Sequence, residues 1–122
     1  MEFNKMLKSI DGVMDIVKQT HIQGQKEYAH DTENVFANFE RVAGNLNISR
    51  EKALLVYLLK HIDGICSYVD GHKMQRDNLK GRITDAIVYL CLLWGMDDVN
   101  MRDFISSKNE RLKVAAEKHV QS

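Results

Sequence analysis

Proline is absent from this sequence, so no position removes a backbone donor or forces a helix to kink. Cysteine occurs only as Cys66 and Cys91. Without a close cluster of histidines these two offer no zinc site, and they read as small buried hydrophobes in a reducing cytosol. Neither sign of charge prevails, since lysine plus arginine number 17 and aspartate plus glutamate also number 17. That balance provides no basic field for a nucleic-acid polymer and no acidic tail, so any anion site must be local. Aromatics are 7% of residues and scattered, which argues against a stacking platform for single strands. No uncharged run approaches the roughly 20 residues of a membrane span, and the charged opening Met1-Glu-Phe-Asn-Lys-Met6 is unlike a signal peptide. A Gly-rich phosphate loop and an HExxH motif are both missing.

What is present is helical periodicity. Phe3, Met6, Leu7, Ile10, Val13, Met14 and Val17 fall at three- and four-residue steps and predict a first helix over Glu2–Thr20. The apolar pattern is then lost over His21–Thr32, which reads as a polar connection broken at Gly24. A second helix is expected over Glu33–Ala43, burying Phe36, Phe39 and Val42 and ending at Gly44-Asn45. Ser49 caps a third helix with Glu51 in its first turn, running to Val69 and stopping at Asp70-Gly71. After a short basic loop, His72–Asp77, a fourth helix is expected over Asn78–Trp94 with Gly95 as its stop. A last, sparsely apolar helix is expected from Asn100 to about residue 118, peripheral to a core within residues 1–96. The 122 residues thus predict one all-α domain, a bundle of four or five helices.

Two stretches dominate this bundle. Ala53–Leu59 and Ala86–Trp94 are continuous apolar runs, and a helix without a polar face must be covered on every side. A second copy of the chain meeting the third and fourth helices would cover them, as would a wrap by the other helices of the same chain. Each helix also carries a cation three residues before an aspartate, Lys60 with Asp63 and Arg82 with Asp85. Charges in such surroundings are costly unless paired or met by a ligand. Facing stripes on an antiparallel hairpin would let Lys60 meet Asp85 and Arg82 meet Asp63, with Gly64 leaving room for a neighbouring helix or a ligand. Such a network either fixes helix register or forms a phosphate site with Lys60, His61 and Arg82 as donors, reinforced by His72, Lys73 and Arg76.

Arg82-Ile-Thr-Asp85-Ala-Ile-Val-Tyr89-Leu resembles the Glu-x-x-Asp-Val-x-x-Tyr-Leu helix of the MazG-like all-α nucleotide pyrophosphohydrolases, and Lys60-His-Ile-Asp63 falls where that family carries an earlier Glu-x-x-Glu. Gly24-Gln-Lys-Glu-Tyr-Ala-His30 and the later Asn38-Phe-Glu-Arg41 are similar to a short phage and prophage subgroup of it. The resemblance covers roughly residues 21–96. It implies a nucleotide cleft to which Lys26, Tyr28 and Tyr89 also belong, with Tyr28 placed to stack on a base. It further implies Mg²⁺ held by carboxylates from two helices, here Asp63 and Asp85 with Glu27 as a third group. The leading acid of each pair is replaced by Lys60 or Arg82, cations that repel a metal and suit phosphate. The expectation is therefore a cytoplasmic protein, of bacterial or phage-infected cells, that binds a phosphorylated nucleotide or nucleotide immune signal without hydrolysing it. A Mg²⁺-dependent pyrophosphohydrolase using Asp63, Asp85 and Glu27 is the alternative, and a purely structural helical module a third. His30-Asp31 as a phosphohydrolase dipeptide, and Cys66 or Cys91 as nucleophile, are weaker readings.

Overall fold

The structure, a computed structural model, describes residues 1–28, 33–73 and 77–121. These form four helices and, among the described residues, no strand: α1 (Phe3–Tyr28), α2 (Ala37–Leu46), α3 (Arg50–Val69) and α4 (Leu79–Gln121). Among the described residues, no helix is long and apolar enough to cross a membrane.

The third helix starts and stops as its sequence predicts. Ser49 Oγ accepts the Lys52 N–H at 3.1 Å, closing one of the donors left open at a helix start. Gly71 adopts φ +109° just beyond its end, a conformation that favours glycine. The other boundaries move. Asn34 Oδ1 accepts the Phe36 N–H at 3.0 Å in a side-chain turn, so α2 starts at Ala37 rather than Glu33. It runs through Gly44 to Leu46 and ends where Asn47 turns left-handed at φ 56°.

Two expected breaks are absent. Helix α1 continues through Gly24 to Tyr28, so His21–Tyr28 are helical and not a connection. Helix α4 passes Gly95 and Asn100 and absorbs the expected fifth helix into 43 residues, about 65 Å at 1.5 Å per residue. Gly95 has a packing role instead. A Cβ there would meet the Phe36 ring at 3.3 Å, so its hydrogen admits that ring against the helix. Asn100 likewise does not cap, but reaches sideways from the middle of α4.

The core lies where α2, α3 and the middle of α4 meet. Phe36, Phe39, Ala43, Ala53, Leu54 and Met96 form one buried cluster, with Tyr57, Tyr89 and Leu92 against it. Phe39 meets both Tyr57 and Tyr89 edge-on at 5.9 Å, and the two tyrosines stack on each other. A polar network ties the same three helices together. Arg50 bonds Glu40 of α2 at 3.1 Å, Glu51 at 3.3 Å and Asn100 of α4 at 2.9 Å, and its guanidinium lies 4.9 Å from the centre of the Phe36 ring. Asn100 returns a bond to Glu51 at 3.0 Å. That bond, ahead of the contribution of Arg50, holds the Glu51 carboxyl below the usual glutamate range.

Candidate functional site

Packing α1 across the start of α4 encloses an open cavity of about 740 Å³. The α1 wall explains why the helix looked broken in sequence. Gln19, Thr20, Gln23, Gly24 and Glu27 line the cavity at helical spacing, so the inward face keeps its 3.6-residue period while its side chains turn polar. Gln23 Nε2 donates to Glu27 Oε1 at 2.9 Å along this wall. Asn34 and Asn38, at the start of α2, bring further carboxamides, and Phe39, Tyr89, Val88 and Leu92 supply the apolar lining.

Helix α3 contributes His61. Its Nδ1 lies 3.8 Å from Asp85 Oδ2, beyond hydrogen-bond distance, and is buried with no hydrogen-bond partner among the described residues. The imidazole rests on Tyr89, with ring centres 5.5 Å apart. Asp85 and Tyr89 are one turn apart on α4, as are Tyr57 and His61 on α3, so each helix presents one carboxylate or imidazole beside one phenol.

The expected charge pairs do not form. Lys60 and Asp63 are exposed, and among the described residues neither Lys60–Asp85 nor Arg82–Asp63 makes an ion pair. The reason is rotational. With 3.6 residues per turn, the α3 face that buries Leu54 and Leu58 also carries His61 and Gly64 toward α4, which leaves residues 60 and 63 outside it. Gly64 accordingly makes room for a neighbour: a Cβ on it would overlap the Arg82 side chain, which lies against the α3 backbone there. The Arg82 Nε is buried with no hydrogen-bond partner among the described residues. Arg82 serves the α3–α4 contact and does not line the cavity.

Of the other expected residues, His61, Asp85, Tyr89 and Glu27 come together at the cavity. Lys26 is exposed on the last turn of α1, beside the lining residues Gln25 and Glu27. The Tyr28 side chain, the His30-Asp31 dipeptide and Arg76 lie outside the described residues. His72 and Lys73 are exposed, with Lys73 Nζ 5.7 Å over the Tyr68 ring. Cys66 and Cys91, expected to be buried, are exposed free thiols on the outer faces of α3 and α4.

The lining defines what the site can do. No lysine or arginine is among its described residues. Beside the Tyr89 phenol, its ionisable groups are the carboxylates of Glu27 and Asp85 and the imidazoles of His21 and His61. Of the residues expected to hold Mg²⁺, Glu27 and Asp85 line the cavity. Asp63 does not line the cavity, and no three His, Cys, Asp or Glu side chains among the described residues gather closely enough to share an ion. The site is suited to a planar, hydrogen-bonding ligand: amides to read donor and acceptor edges, an aromatic and aliphatic surface for a ring, and an acid–imidazole pair at the end.

Of the residues missed in the sequence, Gln19, Thr20 and Gln23 carry the signal of a polar stripe at helical period following an apolar one, and Asn34 and Asn38 carry none. Fold and site together define an all-α helical protein with a polar, aromatic-floored cavity between α1 and α4. Compared with known proteins, the chain matches no family model, no curated protein and no solved structure.

Proposed function

We propose that this chain is a MazG-like nucleotide-binding protein that takes a phosphorylated nucleotide, base inward, into the α1–α4 cavity and retains it intact. The observation that carries this reading is the cavity itself. Its volume of about 740 Å³ lies within the range of pockets for nucleotide-sized ligands. Its lining joins the carboxamides of Gln19, Gln23, Gln25, Asn34 and Asn38 to Tyr89 and Phe39, groups that read a base edge and pack on a base face. The phosphates belong toward solvent and Lys26, because no lysine or arginine is among the described residues that line the cavity. Exchange of the family's leading acids for Lys60 and Arg82 supports retention over cleavage. Capture of a nucleotide or nucleotide immune signal in a phage-infected cell is the role this reading implies. Self-association is part of it, through the α3 and α4 flanks where Val56, Leu59, Leu90 and Trp94 stand 51–75% exposed.

Calorimetry against nucleoside mono-, di- and triphosphates and cyclic dinucleotides, followed by chromatography of the recovered ligand, tests it. At least one of these binds and returns unchanged, and Tyr89→Ala weakens its binding by tenfold or more. Released pyrophosphate or monophosphate, lost with EDTA and in Asp85→Asn, replaces the reading with the pyrophosphohydrolase. Silence across the whole panel leaves a structural helical module.

A further inference from the structure

The chain carries more surface than its mass warrants. It exposes 9792 Å², whereas the scaling of area with mass gives about 6,700 Å² for a compact monomer of 14.1 kDa. Two exposed apolar stripes contribute to this excess of about 3,000 Å². On α1 the apolar stripe of Phe3, Met6, Leu7, Ile10 and Met14 is 38–77% exposed. On α4, everything from Asn100 to His119 is exposed, including Met101, Phe104, Ile105 and Leu112 at 50–62%. Met101, Ile105 and Leu112 follow one another at steps of four and seven residues and share a face with Trp94, itself 75% exposed. Both stripes lie beyond the core cluster, which reaches along the chain only from Phe36 to Met96 with Val99 against it.

We infer that the distal half of α4, together with the α1 stripe, is the seat of a second copy of this chain, with the two α4 arms running antiparallel about a two-fold axis. The inference rests on the self-association proposed above and moves its main contact from the α3–α4 flanks to the terminal arms. Area argues for it. Obligate homodimers bury about 2,000–5,000 Å² in total, which the excess on two chains accommodates. Charge argues for the orientation. Asp97 and Asp98 flank the near end of the α4 stripe, and Arg111 and Lys113 flank Leu112 at its far end. Antiparallel arms set each acidic end beside the partner's basic end, whereas parallel arms would set like beside like. The chain's zero net charge adds no overall repulsion between copies.

Light scattering on the full chain, without nucleotide, gives its mass in solution. Two chains, or an even multiple, is the expected result; the mass of one chain overturns both this inference and the self-association it rests on, even if the arms then bind lipid vesicles. Ile105→Glu, at an exposed position that leaves the core intact, is expected to weaken association at least tenfold with helical circular dichroism unchanged. An unaltered oligomer in that variant overturns the arm interface while sparing self-association through α3 and α4. Orientation is read in a chain with Cys66 and Cys91 changed to serine. A short bismaleimide should join copies of Lys108→Cys, near the axis, and should fail to join copies of His119→Cys, far from it. Linkage at position 119, or none at 108, rejects the antiparallel pairing.

Discussion

Gly64 and Arg82 show how one side chain can redirect a charge network. Glycine inside a helix costs about 1 kcal/mol relative to alanine, and here the missing methyl is the space that the Arg82 side chain occupies. Gly64→Ala is therefore expected to lower stability by about 1–2 kcal/mol, the overpacking cost exceeding the helix-propensity gain. In an Arg82→Ala background the same change should raise stability by about 1 kcal/mol, because only the propensity gain remains. Urea denaturation of the four proteins decides this. An equal effect in both backgrounds would show that the two residues do not meet. The arrangement was half legible in the sequence. Glycine in mid-helix announced a close approach by a neighbouring helix or a ligand, but what filled the space depended on the rotation of α3, which places His61 inward and Asp63 outward.

Among the elements, α2, α3 and α4 are joined by Arg50, Glu51 and Asn100 across the edge of the core. The Glu51 carboxyl, held below its usual range chiefly by Asn100, makes this join sensitive to acid. Its folded value is depressed, so its contribution is fully present above the ordinary glutamate range near 4.3 and is lost as pH falls below that toward the lowered value. Thermal melts between pH 7 and pH 3 should show Glu51→Gln less stable than the parent at neutral pH, with the difference shrinking in acid. Asn100→Ala should flatten the same dependence and cost about 1 kcal/mol at pH 7. A constant gap between parent and Glu51→Gln at all pH values would mean the carboxylate contributes no charge-dependent stability. Asn100 looks in sequence like a helix start, because asparagine caps helices. Nothing local distinguishes a cap from a mid-helix side chain that bonds a residue 49 positions earlier.

Across the whole molecule, the contrast is between a small core and long arms. A 43-residue α4 whose distal part touches none of the core cluster gains little from intrachain packing, and most helical stability in proteins comes from such packing. If a second copy supplies it, stability becomes a function of concentration. The melting temperature should climb by several degrees between micromolar and hundred-micromolar protein, and Ile105→Glu should abolish that climb. A melting temperature indifferent to concentration would place all the stability within one chain.

The sequence alone determined the helical class and the bounds of α3, since the apolar period, the Ser49 cap and the glycine stop act through neighbours a few residues away. It also announced the pairing of α3 with α4 and the approach at Gly64. The length of α1 and α4, the rotation that brought His61 to Asp85 instead of Lys60, and the polar cavity were decided only by tertiary packing. Gly24 and Gly95 carry the residue type that ends helices, and the contact met at Gly95 comes from a distant part of the chain. A ring such as Phe36 against Gly95 is invisible until the helices are set side by side.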